Sequence, residues 1–195
     1  MSRLLIATTN PGKQQEFRRL LAGLDAQLLT PDQLDLELDV DEPHDTYAEN
    51  AAAKADAFAR ASGVVSLADD SGIEIAALDW GPGVRSARWG GGRNAERVLE
   101  ALGPAPDRRA RMVCAVALAR PGAPDPHIEI FTGIVEGRVA TEMRGAGGFG
   151  YDPIFELPSG LTTAELPEGE KDELSHRGRA VAAAVPRLRE LLIDH

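Results

Sequence analysis

The chain has 195 residues, 43% of them hydrophobic and 27% charged, with a formal net charge of −10 and one cysteine. That length suits one large domain or two small lobes around a substantial core, and the composition excludes a disordered chain. No run approaches 18 apolar residues, which excludes a membrane-spanning helix; the lone Cys114 excludes an intrachain disulfide and a thiolate zinc cluster; the net negative charge argues against a binder of nucleic-acid polymers.

The opening "MSRLLIATTN" lacks the apolar core and cleavage site of a signal peptide, so the expected location is cytoplasmic. "RLLIATTN" predicts a buried strand from Arg3 to Thr8, "PG" a turn, and "KQQEFRRLLAGL" a helix with Phe17, Leu20, Leu21 and Leu24 at helical spacing. Residues 25–45 are acidic, with extended character expected near "DLELDV". "TYAENAAAKADAFARAS" predicts a helix ended by Gly63. "VVSLADDSG" predicts a strand that breaks into a polar turn, and "IEIAALDWGPGVRSARWGGG" short extended pieces and loop. "NAERVLEALGP" predicts a short helix closed by Gly103 and Pro104. "RRARMVCAVALAR", "HIEIFTGIVEGRVAT" and "DPIFEL" predict strands, with a turn at "PGAPDP" and Cys114 as a small buried hydrophobe. "SHRGRAVAAAVPRLRELLIDH" predicts a last helix, with Ser175 as N-cap and a kink or restart at Pro186. The alternation is that of an α/β protein: a mixed sheet flanked by helices, with the middle β block as a second lobe.

Polar clusters stand at the predicted element ends. "TTNPGK" (Thr8 to Lys13) joins a strand to a helix start, where unpaired N–H groups and the helix dipole favour phosphate, although it is not a Walker A loop. "ADDSG" offers two adjacent carboxylates to a hard cation such as Mg²⁺, or an ordinary Asx-type turn. In "TYAEN" Thr46 and Glu49 match a capping box, with Glu49 bonding back to the Thr46 N–H, and this reading outweighs a metal role for Glu49. Lys171, His176, Arg177 and Arg179 in "EKDELSHRGRA" cluster at a helix start, an unusual place for cations that suits an anionic ligand. "GAGGFG" spells G-x-G-x-x-G, yet "YDPIF" follows it instead of a helix, so a dinucleotide fold is disfavoured. The glycines read better as a backbone wall for a flat ligand, with Phe149 as a stacking face.

Taken together, "TTNPGK", "YAENAAAKA", "ADDSG", "PGVRSAR", "GGFGYDPIF" and "EKDELSHRGRA" occur in the order seen in the Ham1-like family of inosine and xanthosine triphosphate pyrophosphatases, which this chain resembles from Arg3 to Leu192. The resemblance implies one domain over residues 1–195, an ITPase-like and anticodon-endonuclease-like α/β fold. It has a long mixed sheet, two lobes with a central cleft, and usually a homodimer. It implies Mg²⁺-dependent hydrolysis of ITP, dITP and XTP to the monophosphate and pyrophosphate, which cleanses the nucleotide pool. Thr8, Thr9, Asn10, Pro11, Gly12 and Lys13 would hold the triphosphate. Asp70 would be the catalytic acid/base and a metal ligand, with Glu42 and Glu49 completing the metal site. Ser71, Phe149, Gly150, Tyr151, Asp152, Lys171, His176 and Arg177 would bind substrate. "LDWGPGVRSARW" departs from the family pattern, which often has two glycines before the PG and a tyrosine at Arg85. A nucleotide sensor and a Maf-type pyrophosphatase are the competing classes; the Maf opening motif is serine- and arginine-rich, unlike "TTNPGK".

Overall fold

A computed structural model describes residues 2–122 and 128–193. Among these, seven strands form a mixed sheet. They are β1 (Ser2–Ile6), β2 (Ala26–Leu29), β3 (Val65–Ile75), β4 (Gly81–Pro82), β5 (Arg109–Ala119), β6 (Ile128–Val139) and β7 (Phe155–Glu156). The order is β2-β1-β3-β5-β6-β7, with β4 pairing β3. β1 pairs parallel to β2 (Leu4 opposite Leu28) and to β3 (Leu4 opposite Val65), while β3–β4 and β6–β7 are antiparallel. Five α-helices accompany the sheet: α1 (Pro11–Leu20), α2 (Tyr47–Ser62), α3 (Asn94–Leu102), α4 (Glu168–Leu174) and α5 (His176–Ile193). This is the expected α/β class. No helix among the described residues is long and apolar enough to cross a membrane.

The chain divides into two compact units: Met1–Asp70, Ala115–Thr132 and Gly178–His195 in the first, Ser71–Cys114 and Gly133–Arg177 in the second. In the first, Leu4 to Ile6 of β1 and Ala7 just beyond it are fully buried, as a parallel strand covered on both faces must be. Phe17, Ala51, Ala55, Phe58 and Leu67 are buried with them. The second has its own core: Ile73 and Ile75 of β3 pack with Val98 and Leu102 of α3, Met112 of β5, Val139 of β6, and Tyr151, Ile154 and Phe155. Cys114 is buried.

Several expectations require correction. β3 does not break at "ADDSG"; it runs on through Asp69, Asp70, Ser71 and Gly72 to Ile75. Its polar residues are held inside by partners described below, so polarity there does not mark a turn. The "DLELDV" stretch forms no regular element, and the extended segment is instead Ala26–Leu29, aligned by β1. In "DPIFEL", Asp152–Ile154 form a 3₁₀ turn and only Phe155–Glu156 are strand, because Pro153 has no N–H for a ladder. Lys171 lies in the last turn of a separate helix, α4, not at the start of α5. Ser175 does stand at the position expected of it, extended and immediately before α5, and donates its N–H to the Lys171 carbonyl. α5 passes through Pro186 without interruption. Ala180, Val181, Ala184, Leu188, Leu191 and Leu192 are buried on both sides of the proline. That burial outweighs the roughly 3 kcal/mol a mid-helix proline costs. The turn expected at "PGAPDP" begins at Pro121 and Gly122. Residues 123–126 of it lie outside the described residues, as do His127 of the sixth strand segment and Asp194 and His195 of the final helix segment.

Candidate active site

In the first unit, β1 ends at Ile6 and the chain turns at once: Thr8 donates its N–H to the Ile6 carbonyl. The Thr8 carbonyl accepts from the Gln14 side-chain amide at 2.8 Å, and its hydroxyl accepts the Asn10 N–H at 3.3 Å. Asn10 caps α1, its side-chain oxygen accepting the Lys13 N–H at 3.1 Å, with Pro11 as the first helical residue and Gly12 next. Proline suits that position because its missing N–H has no intrahelical use there. Thr9, Asn10 and Pro11 are exposed, so the helix start is open to an anion. Thr9 and Gln14 also line a cavity of about 860 Å³ together with Asp32, Asp35, Glu37 and Asp39.

The Lys13 ammonium is gripped by the Asp69 carboxylate, at 3.1 Å and 2.9 Å to its two oxygens. Asp69 is therefore the counter-charge of the loop lysine. Asp70, one residue on, is 5% exposed and accepts a hydrogen bond from the Asn50 side-chain amide at 3.0 Å. Asn50, 1% exposed, is more heavily engaged than any sequence motif suggested. Its carbonyl oxygen accepts the His44 N–H at 3.0 Å and its amide also donates to the His44 carbonyl at 3.1 Å. One side chain thus fixes both the acidic segment and the Asp70 carboxylate. Lys54, one turn further along α2, donates to the Asp69 carbonyl at 3.0 Å and forms an ion pair with Glu42. Asn50 and Lys54 share a helix face by their i, i+4 spacing, which is the signal that could have found them.

Burial pushes the Asp70 carboxyl above its ordinary value. The Asn50 hydrogen bond pulls it down, the nearby Glu42 charge raises it, and Lys13 and Lys54 lower it. Asp70 and Glu42 thus feel each other's charge. Glu49 is occupied at the cap of α2: Thr46 accepts the Glu49 N–H at 3.2 Å and donates its hydroxyl to the Glu49 carboxylate at 2.6 Å. The return bond runs to the Thr46 hydroxyl, where the capping-box pattern had placed it on the Thr46 N–H. Among the described residues no group of three or more His, Cys, Asp or Glu could enclose a metal ion.

In the second unit, Arg177 donates to the Ser71 hydroxyl at 2.9 Å and its guanidinium lies 5.7 Å from the centre of the Phe149 ring. The Lys171 ammonium lies 5.1 Å from the same ring and 2.7 Å from an Asp152 oxygen. Phe149 therefore carries two cations within cation–π range. Arg177 is 2% exposed, and His176 beside it is buried. The Asp152 carboxylate takes the Phe149 N–H at 2.8 Å and the Thr163 hydroxyl at 2.8 Å as well. It is a hub of the glycine loop. Gly148, at φ 71°, leaves no room for a Cβ because the Asp152 carboxylate fills that space. Gly145 lies equally close to the Ala164 backbone, while Gly150, at φ 63°, faces open space. Tyr151 is buried and donates its hydroxyl to the Ser86 carbonyl at 2.7 Å; burial pushes this phenol up to about 12.

These features define an α/β protein with an open strand–loop–helix suited to an anion and a cluster of buried acids and lysines on the adjoining strand and helix. Within that class, the model of the Ham1 family matches residues 4–187. This chain belongs to the Ham1 family. A dITP/XTP pyrophosphatase of Symbiobacterium thermophilum is 45% identical over 197 residues, covering 97% of this chain and 96% of that protein. Among solved structures, a HAM1 protein from Coxiella burnetii aligns with a TM-score of 0.85 at 39% identity, covering 97% of this chain and 100% of that one. A nucleoside-triphosphatase and dITP/XTP pyrophosphatase from Mycobacterium abscessus aligns at 0.73 and 38% identity, covering 94% and 99%.

Proposed function

We propose that this chain hydrolyses ITP, dITP and XTP to the nucleoside monophosphate and pyrophosphate, removing them before they enter DNA or RNA. The observation that carries the reading is Asp70. It is a buried carboxyl, raised by burial and oriented by Asn50, on the strand whose preceding residue pairs with the lysine of the "TTNPGK" loop. A carboxyl held above its ordinary value is a better base near neutral pH than an exposed aspartate. Asp70 orients a water toward the α-phosphorus and accepts its proton as the α–β bond breaks and pyrophosphate leaves. The amides of the Thr8–Lys13 loop and the Lys13 ammonium take the phosphate charge, Lys13 exchanging its Asp69 contact for substrate. Lys54 offsets part of the neighbouring carboxylate charge.

Asp70 and Glu42 provide hard carboxylate oxygens that influence each other electrostatically, a donor set that fits Mg²⁺, which takes one or two carboxylates and otherwise substrate phosphates. Glu49 joins them only by leaving its cap. When bound, the ion supplies Lewis acidity at the phosphates. In the second unit, Phe149 is the stacking face for the purine, with Lys171 and the Ser71-held Arg177 beside its ring. A donor to the 6-oxo group selects hypoxanthine and xanthine over adenine, since adenine would leave that donor unpaired. The protein acts in the cytoplasm as a homodimer, which sizing in solution tests.

The deciding experiment is product analysis with ITP and Mg²⁺ for wild type and Asp70→Asn. The reading expects inosine monophosphate plus pyrophosphate from the wild type and no turnover from a folded variant. Diphosphate plus phosphate as products, or near-normal turnover by the variant, sinks it. Comparing ITP with ATP in Arg177→Ala tests that side chain as the donor to the 6-oxo group; an unchanged preference removes Arg177 from that role.

A further inference from the structure

The glycine loop that carries Phe149 is anchored twice, both times by residues that follow that ring in the chain. The Asp152 carboxylate holds the Phe149 N–H. Tyr151 is tied through its hydroxyl to the backbone of Ser86, 65 residues away in sequence. Ser86 lies in the "PGVRSAR" segment, to which neither the family motif nor the proposed chemistry gives a task. It is 2% exposed and all its polar atoms are engaged. Its hydroxyl accepts the Ile73 N–H at 2.9 Å and donates to the Gly83 carbonyl at 2.6 Å. Its own N–H donates to the Gly83 carbonyl at 3.0 Å, and its carbonyl receives the Tyr151 hydroxyl at 2.7 Å. Ile73 stands two residues beyond Ser71 on β3, and Ser71 holds Arg177, the second cation on the Phe149 ring. Ser71 makes its tie through its side chain and Ile73 through its backbone N–H, so β3 carries both attachments two residues apart.

The geometry points to Ser86 as a positioning residue for the base end of the substrate: it locks Tyr151, and through it the glycine loop bearing Phe149, to the same strand that locks Arg177. Gly147, Gly148 and Gly150 leave that loop few side-chain restraints of its own, so its placement depends on these ties. Loosening Ser86 misplaces the stacking ring and leaves the phosphate end alone.

This rests on the proposed pyrophosphohydrolase reading, and the test separates the two. Ser86→Ala and Tyr151→Phe are compared with wild type by ITP kinetics, by calorimetric binding of inosine monophosphate, and by inhibition with inorganic tripolyphosphate, which has no base. A lost buried hydrogen bond predicts a KM for ITP and a dissociation constant for inosine monophosphate raised about five- to tenfold. The kcat and the tripolyphosphate inhibition constant should stay within about twofold. A merely structural residue would weaken all of these together, and that outcome overturns the proposal. Unchanged inosine monophosphate affinity in both variants overturns it too. Should Ser86→Ala fail to fold, Tyr151→Phe decides alone, because it removes the tie and keeps every bond of the Ser86 side chain. A wild type that turns over ITP beside two wild-type-like variants refutes Ser86 only. A wild type that neither cleaves ITP nor binds inosine monophosphate refutes the function and this role together.

Discussion

Removing the Asp152 carboxylate should be strongly destabilising. Its pair with Lys171 spans 2.7 Å, and the two side chains are only 5% and 7% exposed. Breaking a buried pair from one side leaves the other charge in a low-dielectric site and costs about 3–5 kcal/mol. Two further bonds, from the Phe149 N–H and the Thr163 hydroxyl, are lost with it. Asp152→Ala should therefore lower stability by about 4 kcal/mol or more, a large share of the roughly 5–15 kcal/mol a domain has. For a chain of this length that is a fall in Tm of about 8–16 °C. Asp152→Asn, which keeps an acceptor and the shape, should cost less. The assay is urea and thermal unfolding of Asp152→Ala, Asp152→Asn, Lys171→Met and the Asp152→Ala/Lys171→Met double variant. The double variant should be less destabilised than the sum of the singles, since each single strands its partner. A loss under about 1 kcal/mol for Asp152→Ala, or a coupling near zero in the cycle, would refute the reasoning.

Asp70→Asn should melt above wild type at pH 7 in chelator, by about 2–4 °C if roughly 1 kcal/mol is relieved. Burial raises this carboxyl from its ordinary value of 3.8, so above that value the folded state retains a proton the unfolded state has lost, and stability falls as pH rises through the raised value. The gain should disappear as the melts are taken down to about pH 4; a gain that grows toward acid contradicts the sign. Asn50→Asp replaces a hydrogen-bond donor to Asp70 with a like charge, which pushes Asp70 up further. The acid limb of kcat/KM against pH should move to higher pH, and an unmoved limb denies Asn50 its influence on Asp70. Tyr151, pushed up to about 12 by burial, keeps its proton in the folded protein while an unfolded phenol loses its own near 10. Wild type should lose stability between about pH 10 and 12 more steeply than Tyr151→Phe, read from urea midpoints.

The chain's α/β character was legible because key elements are strongly patterned: β1 ends in the apolar run Leu4 to Ile6, and α2 is an alanine-rich helix between Thr46 and Gly63. What sequence missed was held in place by tertiary partners. Periodicity reads Asp69, Asp70 and Ser71 as a turn because it equates polarity with the surface, yet Lys13, Asn50 and Arg177 satisfy them within a strand. β2 is four residues inside an acidic stretch, visible only once β1 aligns it. α4 is a seven-residue polar segment with little pattern to read. At the site, Glu49 caught attention through its capping spelling, while its neighbour Asn50 makes the buried contacts. An amide with no charge and no motif gives no local signal of that kind.

In the cavity beside the phosphate loop, Thr9 and Gln14 share the lining with Asp32, Asp35, Glu37 and Asp39, so a polyanion settling at the helix start does so beside four carboxylates. Their repulsion is screened by electrolyte over a Debye length of about 8 Å at physiological strength. Association with a bare triphosphate should therefore speed up as salt is added, the reverse of the usual attraction between a phosphate-binding protein and its ligand. Neutralising the four acids should turn that upward slope flat.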